Sequence, residues 1–340
     1  MAALVVLAVG WGVFSLSRPH RGSGRAVEVV WPEGTSPKEG APALVAAQVL
    51  DDTLSVHLLF AAAGLFVRPE PGVHLLADDL TPVEILRRLG RLSSRAGAKV
   101  VIPEGFNRFQ IAARLEQMRV CSRAELDRAA SDASFLAANG IGGDSAEGYL
   151  APATYDLFCD TSATVVASEL VETTRKRLAT VRESHQAEIA GLVTRYGWGE
   201  RDILTLASVV EKEAANADER PVIASVFFNR LDDPTFRPVR SLQSDPTAAY
   251  GCVVAPSLPS CSGYAGRVTP AMLRDPSNPY NTYRHPGLPP GPIANPGLPA
   301  ILAVLLPAST DYLFFVSSGD GRHVFSRTLG EHEAAIHRHD

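Results

Sequence analysis

The chain has 340 residues, 46% of them apolar and 20% charged, with a formal net charge of −5. That length buries a real core and leaves room for more than one domain, and the acid excess argues against a general nucleic-acid surface. No P-loop, G-x-G-x-x-G fingerprint, G-x-S-x-G elbow or zinc-ribbon spacing occurs, so no cofactor, metal or nucleic-acid partner is expected.

Residues 1–17 are uncharged and mostly apolar. As a helix they span ~25 Å, a little less than the ~30 Å hydrocarbon core. A signal peptide would carry basic residues ahead of the run and a small-x-small site after it. Here Arg18, Pro19, His20 and Arg21 follow instead, which favours a transmembrane anchor at 1–17 and a basic linker at 18–26. A start upstream of Met1 would supply the missing charges.

From Val27 the text VEVVWPEGTSP reads as a strand and a turn, followed by helical segments at 41–50 and 53–64 and a returning strand at 72–76. Thr81 and Glu84 form a capping box for a helix ending at Leu89. The opening then recurs: Pro32-Glu33-Gly34 returns as Pro103-Glu104-Gly105 after a second strand, with helices at 110–117 and 123–130. A strand–turn–helix–helix unit used twice predicts two small α+β modules, at 27–97 and 98–145, whose pattern resembles glycan-binding LysM modules.

A larger mixed α/β domain is expected over 146–340. It opens on EGYLAPATYDL, turn-rich, with Glu147 and Tyr155 as candidate binding residues. Helical text runs from 162 to 195 with a break near 183–185. The central stretch is DILTLASVVEKEAANADERPVIASVFFNRL, 202–231, read as two helices and a turn. Ile203, Leu206, Ala207, Val210 and Ala214 share one face, and Glu211 sits at its edge among Ala207, Ser208, Ala214 and Ala215. Small neighbours leave room for a ligand; Glu213, beside Leu206, Val209 and Val210, has less. The second helix, capped at Asp218 with Pro221 in its first turn, presents Asn229 near its far end.

Beyond it, Gln243, Ser244 and Asp245 precede a proline, and the Pro/Gly-rich stretch 278–300 carries Asn281 and Tyr283 on a stiffened loop. Amide, hydroxyl and aromatic groups of this kind suit a carbohydrate groove. A helix at 298–305, a hairpin from Tyr312 to Ser326 and a helix at 329–337 close the chain. His332-Glu333 lacks the second histidine one turn on that a zincin needs. Of the four cysteines, Cys252 and Cys261 bracket a turn-rich loop and are expected to bridge in an oxidising compartment, stabilising it by roughly 2–3 kcal/mol; the pairing of Cys121 and Cys159 stays open.

Taken together, IPEGF, EGYLAPATY, ASVVEKEA, ERPVIASVFFNRL, LQSDPTAAYG, PYNTYRHPGLPPGPIANPGL and the ending TDYLFFVSSGDGRHVFSRTLGEH resemble the YceG-like family of endolytic murein transglycosylases, in family order from about 29 to 339. Phe106 and the first module depart from the family pattern. The resemblance implies a single-pass inner-membrane protein facing the periplasm. It implies a lyase that cleaves the β-1,4 bond between MurNAc and GlcNAc in nascent peptidoglycan strands, leaving 1,6-anhydro-MurNAc ends, and it suggests work beside peptidoglycan synthases. The first glutamate of the family's VEKE block is its catalytic residue and maps to Glu211.

One carboxyl can serve such a reaction, first as acid to the glycosidic oxygen and then as base to the MurNAc 6-hydroxyl. A dry, apolar helix edge at Glu211 is expected to favour its protonated form. Gln243, Ser244, Asp245, Asn281 and Tyr283 are expected to position sugars, with Glu147, Tyr155 and Asn229 as further candidates. Were Asp245 or Glu147 a second carboxylate, the enzyme would instead be a lysozyme-like hydrolase. A membrane-anchored glycan-binding scaffold without catalysis is the non-enzymatic alternative.

Overall fold

The structure, a computed structural model, describes residues 25–90, 98–158 and 161–339. The expected anchor at 1–17, most of the linker and Cys159 lie outside the described residues. The fold is α+β, and the chain divides into two units whose segments interleave. Unit 1 takes residues up to 102, 109–145 and 154–172; unit 2 takes 103–108, 146–153 and 173 onwards.

Unit 1 holds the two modules. In the first, β1 (Ala26–Trp31) pairs antiparallel with β2 (Gly72–Ala77), and α1 (Pro37–Ala46) and α2 (Leu54–Ala63) lie between them in sequence. Linker text thus turns to strand already at Ala26. Polar starts fix the helices: Ser36 with Glu39 and Thr81 with Glu84 form capping boxes for α1 and for α3 (Pro82–Leu89), and Thr53 caps α2. Trp31, Leu44, Phe60, Leu76, Ile85 and Leu89 fill the core. The Trp31 ring lies where a side chain at position 40 would be, 2.0 Å from a Cβ built on Gly40, so only glycine fits there.

The second module repeats the order. It runs β3 (Ala98–Val101), α4 (Arg108–Gln117), α5 (Arg123–Ala129), α6 (Ala133–Ala138) and a returning β4 (Thr154–Leu157) antiparallel to β3. Its sheet therefore draws on residues past 145, where the sequence reading placed a turn-rich opening of the next domain. Tyr155, expected near sugar, is a buried residue of β4 opposite Val100.

Unit 2 is mostly helical. Helix α7 (Ala163–Ser184) enters it and is followed by α8 (Gln186–Tyr196), α9 (Glu200–Glu213), α10 (Arg220–Asp232), α11 (Asp245–Val254), α12 (Pro270–Arg274) and α13 (Leu298–Leu305). A hairpin, β5 (Phe314–Ser317) with β6 (His323–Ser326), and α14 (Leu329–His339) complete it. No layered α/β sheet forms among its described residues: the proline-rich text between α12 and α13 cannot supply ladder donors, so helices do the packing. Every residue of α9 from Ile203 to Val210 is buried, the pattern of a helix enclosed on all sides. Among the described residues no helix is long and apolar enough to cross a membrane.

Candidate active site

Helix α9 stops earlier than its apolar text suggested. Ala214 leaves helical geometry at φ −81°, ψ 98°, which puts Glu211 and Glu213 in the last turn. A 3-10 turn (Ala217–Glu219) then reverses the chain, and α10 begins at Arg220.

Both Glu211 oxygens are engaged. Arg220 Nη2 donates to Oε1 at 2.8 Å and the Gly297 backbone N–H to Oε2 at 3.2 Å. The side chain is 6% exposed. The expected apolar niche is thus corrected: the carboxyl faces a guanidinium and an amide. Tertiary neighbours, the start of α10 and the end of the proline-rich loop, supply those contacts, and helical spacing does not reveal them. The same Arg220 Nη2 also reaches Glu104 Oε2 at 3.5 Å.

Glu104 stands on the Pro-Glu-Gly turn, which the structure ties firmly to the proline-rich loop. Gly105 N–H donates to the Asn295 carbonyl at 3.0 Å, and Asn295 N–H returns to the Phe106 carbonyl at 2.9 Å. Gly105 takes φ +74°, a conformation glycine adopts freely, and a Cβ there would touch Glu211 Cγ at 3.4 Å. Lys212 Nζ caps the turn by donating to the Gly105 carbonyl at 3.3 Å.

Beneath the turn lies Glu147, 1% exposed. It accepts from Arg108 N–H at 3.0 Å, Tyr250 Oη at 2.8 Å and Asn295 Nδ2 at 2.7 Å. Burial outweighs these donors and pushes its carboxyl up to about 7. Buried and with donors on both oxygens, Glu147 ties the turn to the loop.

The remaining candidates separate by burial. Ser244 is fully buried and donates to Glu213 Oε1 at 2.6 Å. Desolvation drives Glu213 up to about 7, the Ser244 bond opposing it and the Asp245 charge adding to it. Asn281 is fully buried too: its amide donates to the Met272, Leu273 and Asp275 carbonyls, and its carbonyl accepts from Tyr283 N–H. Asn229 Nδ2 is spent on the Thr310 and Tyr312 carbonyls at 2.9 Å each. Ser244 and Asn281 are thus buried, whereas Asn229 is half-buried and lines a cavity of about 410 Å³. Asp245 stays exposed and accepts from the Tyr283 hydroxyl at 2.6 Å, while Gln243, half-buried at φ +52°, donates to the Arg237 carbonyl at 3.1 Å. Asp245, Tyr283 and Gln243 keep access to solvent.

Arg230, 5% exposed, donates to the Leu313 and Leu242 carbonyls among the rings of Phe227, Phe236, Phe314 and Phe315. Burial lowers its guanidinium to about 10. Cys252 and Cys261 are disulfide-bonded, and Cys121 is a buried thiol that desolvation pushes up to about 12. No group of three potential metal-ligating side chains occurs among the described residues.

Residues 29–338 match the profile of the YceG-like family, and the chain belongs to that family. It is 36% identical over 190 residues to an endolytic murein transglycosylase of Bacillus subtilis, covering 56% of this chain and 46% of that protein. An endolytic murein transglycosylase of Streptococcus pneumoniae is 28% identical over 196 residues, covering 57% and 32%. The chain thus spans less than half the length of these curated relatives. The crystal structure of a yceG-like protein from Listeria monocytogenes superposes with a TM-score of 0.58 at 29% identity, covering 92% of this chain and 99% of that one.

Sequence reasoning passed over Glu104 and Arg220 as functional groups. The repeated Pro-Glu-Gly and the arginine just ahead of Pro221 were the available signals.

Proposed function

We propose that the chain is an endolytic murein transglycosylase that cleaves nascent peptidoglycan strands, with Glu211 as its acid and base. The observation that carries this reading is the setting of Glu211. A nearly buried carboxyl at the end of an enclosed helix meets one guanidinium and one backbone amide, and in the same unit Asp245, Tyr283 and Gln243 keep access to solvent. The names borne by the relatives support the same chemistry.

The reaction needs no water. Glu211, which takes up a proton as it leaves its ion pair with Arg220, gives that proton to the glycosidic oxygen as the bond from MurNAc C1 to that oxygen breaks. The 6-hydroxyl of the same MurNAc bonds to C1, and its proton returns to Glu211. Ring closure within one sugar gains from proximity and requires no second carboxylate. Asp245, Tyr283 and Gln243 hold the strand in this reading.

A strand, two helices and a returning strand in the first module, and a strand, three helices and a returning strand at Thr154–Leu157 in the second, support two LysM-like modules, expected at 27–97 and 98–145 but with the second closed by a strand past 145, ahead of a catalytic domain. Residues 1–17 anchor the chain in the inner membrane with those domains in the periplasm, where peptidoglycan synthases supply the strand.

Glu211→Gln tests the assignment. On purified glycan strands it is expected to lose cleavage while keeping its melting temperature. Mass spectrometry of wild-type products is expected to give anhydro ends, one water lighter than hydrolysed ones. Hydrolysed ends would support a two-carboxylate hydrolase, and binding without cleavage a scaffold.

A further inference from the structure

We propose that Glu104 is a positioning residue: it shares Arg220 with Glu211 and takes the guanidinium over when Glu211 turns to substrate. This rests on Glu211 being the proton donor.

The pairing is unequal. One nitrogen, Arg220 Nη2, lies 2.8 Å from Glu211 Oε1 and 3.5 Å from Glu104 Oε2. The first is a full ion pair and the second sits at the limit of a hydrogen bond. Exposure is graded in the opposite sense, with Glu211 at 6%, Arg220 at 10% and Glu104 at 44%. The group that holds the arginine weakly is therefore the one with freedom to move.

Arg220 has donors to spare. Its Nε is buried and without a partner among the described residues, although a guanidinium presents five donors. A carboxylate that engaged it side-on, through Nε and Nη2, would use that capacity. Both Glu211 oxygens are engaged, Oε1 by Arg220 and Oε2 by the Gly297 N–H, so in this proposal the carboxyl leaves Arg220 as it turns to a glycosidic oxygen. A guanidinium deserted at this depth would be a buried unpaired charge, which is strongly disfavoured. Glu104 removes that cost with a short side-chain movement.

The backbone is shaped for this arrangement. The Glu104 carboxylate rests on Gly297, where a built Cβ would lie 2.0 Å from Oε1, and the N–H of that same glycine holds Glu211 Oε2. Charged groups around Glu211 come from three elements: Arg220 on α10, Glu104 on the Pro-Glu-Gly turn, and Lys212, the next residue of α9. Glu213 is turned to Ser244.

The test is a double-mutant cycle on the full chain with purified glycan strands: Glu104→Gln, Arg220→Gln and both together, each with a pH–rate profile. Glu104→Gln is expected to keep its melting temperature, lower kcat about tenfold and change KM by less than about twofold. Without the Glu104 charge Arg220 stays on Glu211, so the alkaline limb, where the proton donor is lost, is expected to move about one pH unit lower. In the Arg220→Gln background, Glu104→Gln is expected to change kcat by less than about twofold. A wild-type rate and limb for Glu104→Gln, or kcat losses that multiply in the double variant, would overturn the proposal. Glu211→Gln separates the two readings: an active variant sinks the catalytic assignment itself, whereas an inactive one beside a normal Glu104→Gln sinks only this inference.

Discussion

Two glutamates on one helical turn illustrate how position decides chemistry. Glu211 and Glu213 are two residues apart and so project about 200° from one another. Glu211 meets Arg220 and Gly297; Glu213 is closed in over Ser244 and raised to about 7. On acidity alone Glu213 would suit a general acid, but its carboxyl is occupied by a buried serine. Glutamine preserves an acceptor for Ser244 and mimics the protonated acid. Glu213→Gln is therefore expected to stay within about tenfold of wild-type turnover, against complete loss in Glu211→Gln. Loss in both, with both folded, would move the acid role to Glu213. The one-letter text showed the two carboxylates on different edges of the helix. It did not show the guanidinium, because Arg220 reaches Glu211 only once the chain has reversed through the 3-10 turn.

At the scale of elements, two close approaches to glycine in unit 2 are expected to respond to substitution in opposite ways. Gly251 on α11 packs against Asn278, with a built Cβ 1.9 Å from Oδ1, and Asn278 is itself fully buried and bonded to the Ala248 carbonyl. Neither side can yield, so Gly251→Ala is expected to destabilise by about 1–3 kcal/mol in urea titrations. Gly297 instead abuts the free end of a half-exposed side chain, and its φ of −72° suits any residue. Gly297→Ala should push Glu104 off Arg220, leave the urea midpoint unchanged and reproduce the altered pH profile of Glu104→Gln. A large loss of stability with a normal profile would refute this. The capped helices were legible in advance, since Thr81 with Glu84 sets its own helix within four residues. Strand β4 was not, because its partner is β3, more than fifty residues earlier, and only that pairing makes Thr154–Leu157 extended. Helix α11 was missed for a related reason: Pro246, Gly251 and small side chains give little local helical signal, and Asn278 and Glu147 supply the missing constraint from elsewhere.

For the whole molecule, the buried acids set how stability changes with pH. Burial raises Glu147 and Glu213 from an ordinary 4.5 to about 7. Between those values the folded chain binds more protons than the unfolded one, so stability falls as pH rises. The contribution is complete below about 4.5 and gone above about 7, and each group supplies on the order of a few kcal/mol. His332, lowered from 6.5 chiefly by burial, acts in the opposite direction, so the net slope alone does not identify the glutamates. A comparison of variants does. Glu147→Gln removes one titration while keeping acceptors for Arg108 and Asn295, and its amide can donate to the Tyr250 oxygen. Calorimetric melts at pH 5, 6, 7 and 8 are expected to show the variant gaining on wild type by a few degrees between pH 5 and 8. A difference in Tm that does not vary with pH would mean that Glu147 keeps one protonation state throughout. The Pro-Glu-Gly turn would then rest on a carboxyl of fixed protonation, and the fall in stability with rising pH would have to originate elsewhere, Glu213 being the first candidate.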